Sequence, residues 1–194
     1  RLVANRAQNA FDGGRVLVLM DITNAFNSVE RMAVAEAVEW ACDDDDLRPG
    51  LVSVVSHGLQ MSEVLVPTAE EGRCDKLPID RGVVQGDPVS AFLFGAVMAK
   101  VLTEWADGSG GSVGLMTPDT AVPPSNGVVA AAYADDVVLM VEDESMVRGA
   151  LEAFATLIGK VGLSLSVEKC VVVAKAPRLD ADHGLRVVDG ARLL

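Results

Sequence analysis

The sequence predicts an α+β fold, a mostly antiparallel sheet with helices on one face. Three observations carry that expectation. Half of the 194 residues are hydrophobic and 23% are charged, which suits one compact domain with a sizeable core and excludes wholesale disorder. Short β-branched apolar runs bounded by turn residues read as strands, and longer stretches with apolar residues at helical spacing read as helices. The two kinds are mixed without the regular alternation that builds a parallel sheet.

In order, "RVLVLMDI" (15–22) is apolar and β-branched, a buried strand. "SVERMAVAEAVEWAC" (28–42) puts apolar residues at helical spacing behind Ser28, a candidate N-cap. "DDDD" (43–46) and "RPG" (48–50) break that helix, and the acid run reads as a solvated loop rather than a metal site. "LVSVVSHGLQM" (51–61) gives a second helix, in which His57 has no assigned role. "EVLVP" (63–67) and "KLPIDRG" (76–82) form a hairpin across a polar turn. "PVSAFLFGAVMAKVLTEWA" (88–106) is a long apolar helix with Pro88 in its first turn, where Pro is tolerated. Residues 107–127, rich in Gly, Pro and Ser, make a long surface connection with a short strand at Val113 to Leu115. "VVAAAYADDVVLMVE" (128–142) is strand, turn, strand, and "SMVRGALEAFATLIGKVG" (145–162) is an amphipathic helix with Ser145 as candidate cap. "CVVVAK" (170–175) and "LRVVD" (185–189) are late strands.

Net charge is −12, from 16 Lys and Arg against 28 Asp and Glu. Bulk attraction to polyphosphate needs a basic surface, so the balance argues against a free-standing nucleic-acid clamp. It suits a domain that neutralises its own carboxylates with metal ions, or one whose basic parts lie elsewhere. Cys42, Cys74 and Cys170 contain no CxxC pair and read as reduced core thiols of an intracellular protein. The two histidines, His57 and His183, argue against a histidine zinc site or a Ser-His-Asp triad. No apolar run approaches the ~20 residues of a membrane span and no signal peptide stands at the start, so no membrane partner is expected. The chain opens on Arg1 and ends on "ARLL", which predicts a fragment of a larger protein.

The chemistry concentrates in "YADD" (133–136), where Asp135 and Asp136 interrupt an apolar run. Adjacent carboxylates repel, and apolar neighbours raise the cost of ionising either. A turn that merely tolerates Asp would explain them, but the favoured two-residue turns carry Gly at a positive-φ position, and Asp-Asp has none. A divalent cation offsets the cost directly, and Mg²⁺ prefers hard oxygen ligands. "VLVLMD" (16–21) is a second apolar run ending in an acid, Asp21. If the two strands lie side by side, Asp21 and Asp135 face one point, a geometry able to hold two metals for an in-line phosphoryl transfer.

Four blocks, "DITNAF" (21–26), "RGVVQGDPVSAFLF" (81–94), "YADD" (133–136) and "GLSLSVEKC" (162–170), occur in that order. Together the chain resembles the palm of a reverse transcriptase, most like those of non-LTR retrotransposons, over roughly residues 15 to 175. The resemblance implies a palm-type antiparallel sheet packed on helices in one domain excerpt spanning 1–194, with residues 43–82 on the fingers side. The upstream fingers and downstream thumb would lie outside the chain. It implies that Asp21 and Asp135 ligate two Mg²⁺ ions, Mn²⁺ being the alternative, with the Ile22 carbonyl as a further ligand and Asp136 supporting the site. Phe26 is implied as the ring under the incoming sugar, excluding a 2′-OH and so selecting dNTP over NTP. Gln85 and Gly86 fall where the family contacts the nascent pair and template strand. Asp87, Pro88 and Ser90 shape that turn and cap the helix, and Tyr133 is structural. Lys169 matches the lysine near the triphosphate, a proton donor to the leaving pyrophosphate, or else it is a solvated lysine beside a strand. The implied partners are an RNA template, a DNA primer and dNTPs, and an endonuclease domain is admitted in the same polyprotein. The implied location is intracellular, nuclear for a eukaryotic element. Asn27, Ser166 and Cys170 depart from common family residues, and none of them removes a metal ligand.

Three other readings compete. An RNA-dependent RNA polymerase shares the palm but usually has Gly before the paired Asp and a polar residue at the sugar, where this chain has Ala134 and Phe26. A decayed or domesticated relative would keep the fold as a scaffold or binding module. An unrelated two-metal nuclease usually brings more acidic or His ligands than these strands offer.

Overall fold

The computed structural model describes residues 11, 13–60, 63–68, 72–116, 127–175 and 185–189. Among these the elements are β1 (Val16–Met20), α1 (Ala25–Ser28), α2 (Arg31–Ala41), α3 (Arg48–Gln60), β2 (Glu63–Pro67), β3 (Cys74–Pro78) and α4 (Pro88–Gly108), then β4 (Val113–Leu115), β5 (Val128–Tyr133), β6 (Asp136–Val141), α5 (Ser145–Gly159), a 3₁₀ turn (Val167–Lys169), β7 (Val171–Ala174) and β8 (Arg186–Asp189). The chain divides into two compact units, one of Arg1–Thr23 with Val101–Leu194 and one of Asn24–Lys100.

The first unit is built on a sheet of six strands in the order β4-β5-β6-β1-β7-β8. Its centre is antiparallel, as the sequence predicts: β5 with β6, β6 with β1, and β1 with β7. The two edge pairs, β4 with β5 and β7 with β8, are parallel. Each parallel pair is joined by a long connection, residues 116–127 and 175–185, which parallel pairing requires and a hairpin turn cannot supply.

Strand alternation gives the sheet two unlike faces. Val16, Val18 and Met20 stand opposite Val141, Leu139 and Val137, and all six are buried. α5 packs on β6, and its buried residues, Val147, Ala150, Leu151, Phe154, Leu157 and Ile158, recur at helical spacing. The rings of Trp105 and Phe154 meet with centroids 5.8 Å apart. Each fully buried side chain of this kind contributes about 1.5–3 kcal/mol. On the other face Val129, Ala131 and Met140 form a buried cluster flanked by partly buried Leu17, Met116 and Val138. That face opens toward one end, where Leu19 is 41% exposed.

α5 starts differently from the expectation. Ser145 is its first helical residue, and the side chain that caps it belongs to Asp143, whose Oδ1 accepts the Ser145 N–H at 2.8 Å and the Ser145 hydroxyl. The Asp143 pKa is held below the ordinary carboxylate value by the Ser145 hydroxyl first and the Ser145 N–H second.

In the second unit α2 and α3 pack on each other and β2 and β3 form the expected hairpin, with Glu63 opposite Pro78 and Pro67 opposite Cys74. Ser28 does not cap a helix. Its N–H bonds the Asn24 carbonyl inside α1, and Glu30 stands at the N-cap of α2. α3 starts at Arg48, three residues before the expected start, because the acid run organises it. Asp44 Oδ1 accepts the N–H groups of Asp46 and Leu47 at 3.0 and 3.1 Å, and Arg48 pairs with Asp45 at 2.8 Å. Pro49 then falls in the first turn, where its missing N–H costs no bond. Of the three cysteines, all free thiols, only Cys170 is a core residue; Cys42 is half-buried and Cys74 exposed.

α4, with 21 residues, is long and apolar enough by length and composition to cross a membrane, contrary to the expectation from the sequence. Its Leu93, Phe94, Val97, Met98, Val101 and Leu102 are buried, the pattern of a core helix.

Candidate active site

The carboxylates collect at one end of the central strands. The last paired residues of β1 and β6 are Met20 and Val137. Asp21 follows the first and Asp136 precedes the second, so both stand one residue beyond the ladder on neighbouring strands. By alternation they fall on the face of Leu19 and Val138, the open one. Tyr133 pairs with Asp136, which closes a turn whose two central residues are Ala134 and Asp135. Tyr133 is placed by its backbone; its side chain lies outside the described residues. The positive φ that such a turn needs is carried by Ala134, at 55°, one residue before the acids. Asp135 is thereby left exposed at the turn tip.

Backbone bonds fix Asp21. Its carbonyl accepts the Ser166 N–H at 2.9 Å, and Thr23 N–H donates to the Ser164 carbonyl at 2.9 Å, flanking a bridge between Ile22 and Leu165. Strand alternation turns the Ile22 carbonyl away from that partner, to the β6 side. The Asp21 N–H meets the Cys170 thiol, whose pKa is pushed up mainly by burial, the Asp21 N–H opposing and the Asp21 charge adding to the rise. Lys169 brings its Nζ to 3.4 Å from Asp21 Oδ2. That oxygen is itself buried and has no hydrogen bond among the described residues, so the ammonium lies within ion-pair range without satisfying it.

A buried carboxylate oxygen with no donor is a costly feature that a cation would relieve. The donors at this strand end, Asp21, Asp135, Asp136 and the Ile22 carbonyl, are all hard oxygens, the set that Mg²⁺ or Mn²⁺ takes. They fit the group. Among the described residues no three Asp, Glu, His or Cys side chains are drawn into one metal-holding cluster.

The second unit carries the remaining residues. Phe26, half-buried on α1, stacks on fully buried Phe94 of α4, with centroids 4.8 Å apart and planes 23° from parallel. The Phe26 carbonyl accepts the Val83 N–H at 2.7 Å, and the Val29 carbonyl accepts the Gly82 N–H at 2.8 Å. Gly82 sits at φ 76°, where a Cβ would stand 2.6 Å from the Asn27 backbone. The Arg31 guanidinium bonds the Gly82 carbonyl at 3.3 Å and the Leu59 carbonyl, and burial lowers its pKa, against the nearby Asp80 charge. Gln85 and Gly86 form an exposed turn held by Asp87 N–H to the Val84 carbonyl at 3.3 Å. Asp87 Oδ1 accepts the Val89 N–H at 2.8 Å, and Pro88 opens α4 with Ser90 buried in its first turn. Asp87 thus caps the first turn of α4.

Three residues went unassigned in the sequence. Phe94 was legible only as one more apolar residue of a long helix, because nothing in its spacing points to Phe26. Gly82 and Arg31 likewise act through chain segments far from them in sequence.

Acids at the ends of neighbouring central strands of an antiparallel sheet are the arrangement that the palm resemblance implies. Residues 4–181 match the reverse transcriptase (RNA-dependent DNA polymerase) family, and the chain belongs to it. It is 27% identical over 162 residues to a Pol polyprotein of the type-1 retrotransposable element R2 from Popillia japonica, covering 82% of this chain and 21% of that one. It is 27% identical over 179 residues to the R2 polyprotein of Bradysia coprophila, covering 92% and 18%. The chain thus spans about a fifth of the length of these relatives. Among solved structures, apo telomerase from Candida tropicalis truncated from its C-terminal domain shares the fold with a TM-score of 0.66 at 13% identity, over 92% of this chain and 36% of that one. The resemblance to non-LTR retrotransposon enzymes and the α+β palm fold are both borne out.

Proposed function

We propose that this chain is the nucleotidyl-transfer core of an RNA-directed DNA polymerase in a retrotransposon-type polyprotein, extending a primer 3′-OH with dNTPs on an RNA template. One observation carries the reading: Asp21 and Asp136 end neighbouring central strands on the open face, with Asp21 Oδ2 buried and unbonded beside a cation. Asp21, Asp135 and the Ile22 carbonyl would hold two divalent ions, with Asp136 in support. Such ions, when bound, neutralise phosphate charge and activate the primer hydroxyl. Lys169 holds a proton beside Asp21 for the leaving pyrophosphate. Phe26 excludes a 2′-OH by bulk, and Gln85 and Gly86 bear on the nascent pair and template. The net charge of −12 supports a grip on template and primer by basic segments elsewhere in the polyprotein.

The test is primer extension by the full-length protein on an RNA template with Mg²⁺. Asp135→Asn, at an exposed position, should leave folding intact and reduce incorporation by more than about a hundredfold, since charge stabilisation by such ions is worth several kcal/mol. Retained incorporation in that variant overturns the reading. A decayed scaffold is the competing reading, favoured by the lack of a gathered acidic cluster among the described residues. It predicts no Mn²⁺ binding in the presence of template, primer and dNTP.

A further inference from the structure

We propose that Phe94 is a positioning residue for sugar selection: its buried ring fixes the place of the Phe26 ring and so sets how fully a 2′-OH is excluded. The inference rests on the reading of Phe26 given above.

The two rings are unequal partners. Phe94 is fully buried in a helix of 21 residues, between buried Leu93 and Val97. Phe26 is half-buried on a helix of four residues, one turn that cannot fix a side chain by its own packing. The backbone of Phe26 is pinned by the Val83 N–H at 2.7 Å, which leaves the ring to find its own support. That support is the near-parallel stack on Phe94, at 4.8 Å and 23°. Interiors are close-packed, so a smaller or non-planar side chain at 94 opens space on the covered side of the Phe26 ring. The ring then sinks toward α4, and a sugar hydroxyl gains room on the other side. Phe94 touches no substrate in this account; it acts through Phe26.

The experiment measures kcat and KM for a dNTP and the matching rNTP with the full-length protein, in wild type, Phe94→Leu, Phe94→Met and, as the control on the underlying reading, Phe26→Val. The expected result for both Phe94 variants is a dNTP/rNTP preference lowered about two- to tenfold, the range an aromatic stack is worth, through a lower KM for the rNTP while kcat for the dNTP stays within about twofold. Phe94→Met conserves most of the side-chain volume and is the variant to read if Phe94→Leu does not fold. If Phe26→Val gains rNTP use while the Phe94 variants keep the wild-type ratio, the inference fails and the reading of Phe26 stands. If Phe26→Val gains nothing, the reading of Phe26 fails first. Phe94 variants that lose both substrates in equal measure, or that all unfold, make Phe94 a core residue only and overturn the proposal.

Discussion

Lys169 sets its ammonium 3.4 Å from Asp21 Oδ2, a buried oxygen with no hydrogen bond among the described residues. The side chains are 69% and 43% exposed, so the pair itself is screened and worth no more than about 1 kcal/mol. A positive charge at that distance also opposes a divalent ion bound by the same carboxylate. Lys169→Met should therefore lower thermal stability only slightly and tighten Mn²⁺ binding to the protein about fivefold, the effect of roughly 1 kcal/mol of Coulomb repulsion in high dielectric. Calorimetric or paramagnetic titration with Mn²⁺ reads this directly. Equal or weaker binding by the variant would remove Asp21 from the ion site.

The acid-bearing half of this picture was readable before the fold was known. Two apolar strands ending in acids are a local pattern, and so are the turn after Gln85 and the cap at Asp87. The supports were not readable, for a physical reason. That Asp21 is pinned by Ser166, or that Phe26 leans on Phe94, depends on pairings between segments far apart in sequence. Helix starts failed for a more local reason. Several Ser and Asp residues stood within reach of each start; Asp143 rather than Ser145 supplies the capping oxygen of α5, and Asp44 organises the start of α3. The parallel edges of the sheet were missed because strand direction follows from long connections whose course has no sequence signature.

Gly82 and Gly86 offer a matched pair of substitutions. Both have positive φ, 76° and 93°. An added Cβ at Gly86 meets nothing within 4 Å, whereas at Gly82 it stands 2.6 Å from the Asn27 backbone. Gly86→Ala should cost about 1 kcal/mol, from left-handed strain alone. Gly82→Ala should cost clearly more, because the segment bonded to Phe26 and Val29 must move. Urea unfolding of each variant ranks them, and equal midpoints would show that the close approach at Gly82 is not real.

Asp143 gives a pH dependence with a definite sign. Its folded pKa lies below the ordinary carboxylate value because the Ser145 hydroxyl and N–H both donate to the ionised form. A depressed folded pKa contributes stability above the unfolded value, and the contribution is lost as pH falls through the folded one. The start of α5 should fray over that acid range. In Asp143→Asn the charge is gone, so stability should fall less steeply with acidification than in the wild type. Parallel thermal-melt series from neutral to acid pH decide it; identical slopes would assign the acid sensitivity to other carboxylates.

Ala134 holds φ 55° in the turn that presents Asp135. A non-glycine residue in that region carries about 1–2 kcal/mol of strain. Glycine at the position removes the strain but gives back about 0.5–1 kcal/mol through the greater freedom of the unfolded chain. Ala134→Gly should accordingly be neutral to slightly stabilising, by up to about 1 kcal/mol. A Cβ-less turn also has more conformations open to it, so Asp135 is held less firmly. The expected outcome is a melting temperature at or above that of the wild type together with a lower rate of dNTP incorporation. A variant less stable than the wild type would show that Ala134 is unstrained where it stands.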